Sequence, residues 1–213
     1  MLALSLICTA IAALTNWYTR IRPNQRLETV SKPLTTILVM WVAVAADGPP
    51  TPTVLAIIGL VFCLAGDIAL LDVIDQFIVG LVCFLFGHIV FIAMFASLHL
   101  PHPLWGVIAA LGLIVHAVIV GRRIVAGATR KEPALRIPVT AYLVVIMSMT
   151  VVAAMTGTAW GIVGALAFVL SDTLLGWRAF VAEKPWMAPA VMITYHAALV
   201  GLALSLSLSL SLS

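Results

Sequence analysis

Of 213 residues, 63% are hydrophobic and 9% charged, against about 25% charged in a soluble domain, so the chain cannot cover itself with water-facing side chains. The eleven Lys and Arg exceed the eight Asp and Glu by three. They gather in short loops and form no continuous basic stripe, which excludes nucleic acid as a partner. Cys8, Cys63 and Cys83 lie in apolar segments without Cys-x-x-Cys spacing, so neither a disulfide framework nor a zinc site is indicated.

Apolar runs broken by charge, Pro and Gly predict helical spans near 2–18, 30–46, 53–71, 77–97, 103–120, 137–156, 159–181 and 187–209, each close to the roughly 17 to 25 residues that cross a bilayer core. The expected architecture is an all-α polytopic bundle, with residues 1–213 forming one integral membrane domain. The first run lacks a basic leading segment and ends at Trp17-Tyr18-Thr19-Arg20 without a small-residue cleavage pattern, so it reads as a span and not a signal peptide. In the second, Pro33 to Ala46 is short alone and borrows Thr29 to Lys32, with Lys32 snorkelling to the headgroup rim; a seven-span reading would drop it. The last run ends in a Leu-Ser alternation from Leu204 to Ser213. That alternation has the period of a strand, but an isolated strand in lipid leaves its backbone unpaired, so a helix fraying into a polar end is expected.

The positive charges choose eight spans. Arg20, Arg22, Arg26 and Lys32 flank the first loop, Arg122, Arg123, Arg130, Lys131 and Arg136 the fifth, and Arg178 and Lys184 the seventh. Eight spans put all of these on one face, which the positive-inside rule makes cytoplasmic. The expected location is then the cell (inner) membrane with both termini non-cytoplasmic. An offset of 105 residues aligns Lys32-Pro33-Leu34-Thr35 with Ile137-Pro138-Val139-Thr140, Gly59 with Gly164, and Asp67 with Asp172. This pattern is that of a 4+4 parallel repeat whose halves turn one aspartate each toward a central cavity.

Only Asp67 and Asp172 among the acidic residues fall inside spans, at a cost of about 2.5 to 3.5 kcal/mol each on insertion scales. Counting roughly 1.5 Å per residue puts His88 about 16 Å inside the basic face and Asp67, Tyr142, Asp172 and Tyr195 about 6 to 14 Å inside it. With Lys32 at the rim, the set offers a cation above two carboxylates, a histidine and two phenols, a layout for a lipid headgroup over acid-base chemistry. The spacing of a helical metal site is missing, and no metal or cofactor is expected. No Gly-x-Ser-x-Gly elbow, Walker loop or Gly-x-Gly-x-x-Gly fingerprint occurs, which leaves carboxylate chemistry or transport by a small carrier or lipid flippase.

The ordered string Lys32-Pro33, Gly66-Asp67 with Leu70, Phe77-x-x-Gly80, Phe86-Gly87-His88, Tyr142, Ser171-Asp172 with Leu175, and Thr194-Tyr195 resembles the YhhN family of membrane proteins, which includes the lysoplasmalogenases. The stretch His196-Ala197-Ala198-Leu199 departs from the family pattern, in which an aromatic and a glutamine follow the tyrosine. The resemblance implies hydrolysis of the vinyl ether bond of a lysoplasmalogen to a fatty aldehyde and a glycerophospho-headgroup, with a lysophospholipid as substrate partner. Asp67 and Asp172 would be the catalytic pair, one a neutral acid and the other an anion. Lys32, His88, Tyr142, Ser171 and Tyr195 would support them or bind substrate. Which aspartate is the acid stays open at this level, as does the oligomeric state.

Overall fold

A computed structural model describes residues 1–207; the end of the Leu-Ser alternation, from residue 208 on, and the last two positions of the expected eighth span lie outside the described residues. The helices are α1 (Leu2–Ile21), α2 (Gln25–Ala45), α3 (Pro50–Ala69), α4 (Phe77–Ala96), α5 (Pro103–His116), α6 (Arg122–Lys131), α7 (Arg136–Thr156), α8 (Ala159–Phe180) and α9 (Met187–Leu204). A π-helical turn, Ala117–Gly121, joins α5 to α6 without a break, so the described residues form eight segments long and apolar enough to span a membrane. The chain is an all-helical integral membrane protein.

Two expected boundaries are corrected. The fifth span does not stop at 120: it runs from Pro103 to Lys131, so Arg122, Arg123, Arg130 and Lys131 are helical and not loop residues. The chain breaks only at Glu132, where extended backbone precedes a short 3₁₀ turn opened by Pro133, and a proline disfavours helical backbone at the residue before it. The second span begins at Gln25, five residues earlier than expected. Asn24 sets that start, its side chain accepting from the Leu27 backbone N–H at 3.2 Å, as an N-cap does.

Helices pack in consecutive antiparallel pairs, α1 with α2, α3 with α4, and α8 with α9. The last pair is the tightest: a Cβ built on Gly201 would lie 2.7 Å from the Gly164 Cα, so the two glycines let backbones meet where no other residue fits. Lipid-buried helices gain association from such close packing because the bilayer supplies no hydrophobic force between them. Phe91, Phe95, Phe168, Met94, Met149, Leu60 and Leu199 are fully buried and fill the centre. Ile, Val and Leu side chains of α1 and α5 point outward, as expected for surfaces that face acyl chains.

Candidate active site

Asp67 lies in the last turn of α3, two residues from its end, and is completely buried. Its Oδ2 accepts hydrogen bonds from the Thr36 hydroxyl at 2.5 Å and the Tyr195 hydroxyl at 2.9 Å. Lys32 Nζ is 3.9 Å from Oδ1, which takes no hydrogen bond among the described residues. Lys32 and Thr36 are four residues apart on α2, and that spacing lays both on the stripe facing α3. The expectation of Lys32 at the headgroup rim is therefore corrected: the earlier start of α2 carries it inside the bundle, where it is buried and turned toward Asp67.

Asp172, in α8, has a different surrounding. Its Oδ2 accepts from the Tyr142 hydroxyl at 2.5 Å, and His88 Nε2 stands 3.7 Å away, beyond hydrogen-bond distance. His88 Nδ1 lies 2.6 Å from the Phe84 carbonyl. A carbonyl can only accept, so Nδ1 carries the proton, and a neutral imidazole then presents the bare Nε2 lone pair to Asp172. That nitrogen is buried and otherwise unpartnered. No Lys or Arg pairs with Asp172 among the described residues.

An aromatic relay ties the two carboxylates together. The His88 ring packs edge-on to Tyr142 at 5.3 Å and to Phe168 at 4.4 Å, and Phe168 meets Tyr195 edge-on at 5.6 Å. Phe84 closes on Tyr195 at 5.7 Å, and it can do so because residue 66 is glycine: a Cβ there would fall 2.7 Å from the Phe84 ring. Buried rings hold hydroxyls in one rotamer, which is what positions Tyr142 and Tyr195 as donors.

Both aspartates open onto one cavity of about 340 Å³, whose inner wall includes Lys32, Ser171 and Tyr195 and whose mouth carries Arg20, Lys131 and Arg178 with Asp72, Asp75 and Glu183. Ser171 lines it, but its hydroxyl donates to the Val191 carbonyl at 3.1 Å, so it pins α8 to α9 and leaves the carboxylates to other donors. Arg20 is anchored at the mouth by Glu28 and by Asp72, 3.5 Å away. A narrow apolar cleft between α4, α6, α7 and α8, lined by Leu81, Ile124, Val139, Leu143 and Gly176, adjoins the cavity and shares Asp172 with it.

The structure thus brings Asp67, Asp172, Lys32, His88, Tyr142 and Tyr195 together. Sequence reasoning missed Thr36, the Phe84 and Phe168 scaffold, and the Arg20–Glu28 pair. His196 is engaged elsewhere, its Nδ1 accepting from the Trp17 indole at 2.9 Å. Among the described residues no three His, Cys, Asp or Glu side chains converge as a metal site would require.

The model of the YhhN family matches residues 27–206 of the chain, a stretch containing Asp67, Asp172, Lys32, His88, Tyr142 and Tyr195. No curated protein and no solved structure matches it.

Proposed function

The chain belongs to the YhhN family, and from that membership and the geometry above we propose that it hydrolyses the vinyl ether bond of a lysoplasmalogen by carboxylate acid-base catalysis. The observation that carries this reading is the unlike pairing of two buried aspartates on one cavity: Asp67 with a lysine and two hydroxyl donors, Asp172 with one hydroxyl and an uncharged acceptor.

Enol ethers hydrolyse by proton addition to the β carbon, which leaves an oxocarbenium ion that water captures as a hemiacetal; collapse releases aldehyde and alcohol. The step needs a neutral carboxylic acid and a carboxylate at once, the division of labour seen when environments set two carboxyls apart. A cation and two donors favour the anion at Asp67. Asp172 has no such support, and a carboxyl held in an apolar wall without a countercharge is kept neutral. Asp172 therefore donates the proton to carbon, while Asp67 faces the oxocarbenium ion and takes a proton from the attacking water. As the hemiacetal collapses Asp172 takes back a proton from its hydroxyl, with the Nε2 lone pair of His88 beside it as an intermediate acceptor, and Asp67 passes its proton to the departing glycerol oxygen, so that both carboxyls return to their starting states. Paired carboxylates handle an oxocarbenium-like state in the same manner in glycosidases.

The cavity supports a substrate of this shape. Charges of both signs at the mouth suit a zwitterionic glycerophospho-headgroup, the apolar cleft beyond Asp172 suits the alkenyl chain, and the bond to be cleaved falls at their junction. The reading also orients the chain with its mouth toward the cytoplasmic side of the cell membrane, where the positive-inside rule puts the basic loops.

The test is aldehyde release from a lysoplasmalogen by the purified protein in detergent, with Asp67→Asn and Asp172→Asn alongside. Turnover is expected from the parent chain and a loss of about 10³-fold or more in each variant, within the range for removal of an acid or base. No release by a folded parent chain would overturn the proposal, and substrate that crosses vesicles unchanged would point to transport.

A further inference from the structure

A second concavity lies on the opposite flank of α6 from the cavity that holds the two aspartates. The helix is two-faced: Ile124, Gly127 and Ala128 are buried, with Gly127 so close to the Phe180 carbonyl that an added Cβ would lie 2.1 Å from it. The other face turns Arg122, Val125, Ala126, Thr129 and Arg130 toward α7, which answers with Arg136, Thr140, Leu143, Val144 and Met147; the valley between them encloses about 640 Å³. Both stripes follow helical spacing, i, i+3, i+4, i+7, i+8 on one side and i, i+4, i+7, i+8, i+11 on the other. The π-helical turn Ala117–Gly121, which also lines the valley, inserts an extra residue at the point where α5 passes into this basic helix, the kind of bulge that re-aims a helix at a functional site.

Arg122, Arg130 and Arg136 are exposed, and none pairs with an acidic group among the described residues. Glu132, in the turn between α6 and α7, makes no ion pair either. Three unneutralised guanidinium groups above an apolar floor in a membrane helix bundle describe one occupant well. We propose that this valley binds an anionic glycerophospholipid, its phosphate and acidic headgroup on Arg130 and Arg136, Arg122 at the deep end, and an acyl chain along Val125, Val144 and Met147. Basic pockets between spans on the positive face are the recurrent form of such sites, and a planar guanidinium matches phosphate oxygens two at a time. Zwitterionic lipids carry an ammonium that would meet the same arginines with the wrong sign.

The experiment titrates the full-length protein in detergent with phosphatidylglycerol, with phosphatidylcholine of the same acyl chains, and with inorganic phosphate, reading bound lipid by native mass spectrometry. Each arginine near such a headgroup contributes about five-fold in affinity, so three give about a 100-fold preference for phosphatidylglycerol. Arg122→Gln/Arg130→Gln/Arg136→Gln is expected to abolish the preference, whereas Arg123→Gln, at an exposed position outside the valley, keeps it. Should the triple variant fail to fold, Arg130→Gln and Arg136→Gln singly should each cost about five-fold. Equal retention of both lipids, a preference that survives the arginine substitutions, or displacement by inorganic phosphate as effective as by lipid would overturn the site.

Discussion

Asp67 and Asp172 stand at matching places in the two halves of the chain, 105 residues apart, and the helices around them follow the same plan. Each takes a hydroxyl from the helix that precedes its own, Thr36 on α2 and Tyr142 on α7, and each is approached by a ring from the last helix of the other half, Tyr195 on α9 and His88 on α4. The plan is shared but the chemistry is not. Position 32 is lysine, and its counterpart at 137 is isoleucine; the crossing ring is a hydrogen-bond donor at Asp67 and a lone-pair acceptor at Asp172. Two similar frames therefore give their carboxyls unlike partners, because two side chains differ between them and the backbone plan does not.

Breaking the lysine half of this asymmetry is expected to have the largest effect. Lys32→Met leaves Asp67 a buried charge without its cation, and removing one partner of a buried pair costs about 3 to 5 kcal/mol. Thermal unfolding in detergent should show that loss, and aldehyde release should fall about 100-fold or more, as when an acid or base is put in the wrong protonation state. The double variant Lys32→Met/Asp67→Asn removes both charges and should recover most of the stability with none of the activity. A Lys32→Met protein as stable and active as the parent would mean that the 3.9 Å contact does not set the state of Asp67.

The next comparison is between the donors. Asp172 has one hydroxyl partner and Asp67 has two, so Tyr142→Phe should lower kcat by more than Tyr195→Phe or Thr36→Val, by about ten-fold or more, because the Tyr142 bond becomes charge-assisted as Asp172 gives up its proton and such a bond is worth about 1.5 to 3 kcal/mol. In the double variant Thr36→Val/Tyr195→Phe the effect should exceed the sum of the single ones, since each hydroxyl covers for the other on the same Oδ2. Equal losses from Tyr142→Phe and Tyr195→Phe would argue that the carboxylates are equivalent.

The sequence exposes some of this site and conceals the rest, for reasons that can be named. Asp67, Asp172, His88, Tyr142 and Tyr195 stand out because a polar group in an apolar span needs a reason to be there. Thr36 does not. Thr35 beside it returns its hydroxyl to the Ser31 carbonyl at 2.8 Å, and Thr9 and Thr29 do likewise with their own i−4 carbonyls, the ordinary fate of a helical threonine. Nothing in the letters separates Thr36 from these. Lys32 misleads because a basic residue near the start of an apolar run reads as a snorkelling anchor, and only the helical turn from Gln25 to Glu28 carries it inward. The charges of α6 mislead in the opposite direction: a cluster of arginines reads as loop, yet a helix with one face on α8 tolerates them on the other.

The smallest effect expected tests the apolar cleft beside Asp172. Gly176 lines the cleft, and a Cβ there would stand 3.1 Å from Ile124 Cγ2, so a larger side chain must take up space that the alkenyl chain would occupy or push α6 outward. Gly176→Val should therefore shift the ratio of kcat/KM between long- and short-chain lysoplasmalogens toward the short by about ten-fold, the discrimination available when a pocket loses room for a methylene or two. Turnover of the short substrate should be little changed, because the carboxylates and their donors are untouched. A uniform fall for every chain length would place the aldehyde chain elsewhere and leave Gly176 as a packing residue between α8 and α6, whereas a length-dependent fall would fix the direction in which the chain leaves Asp172.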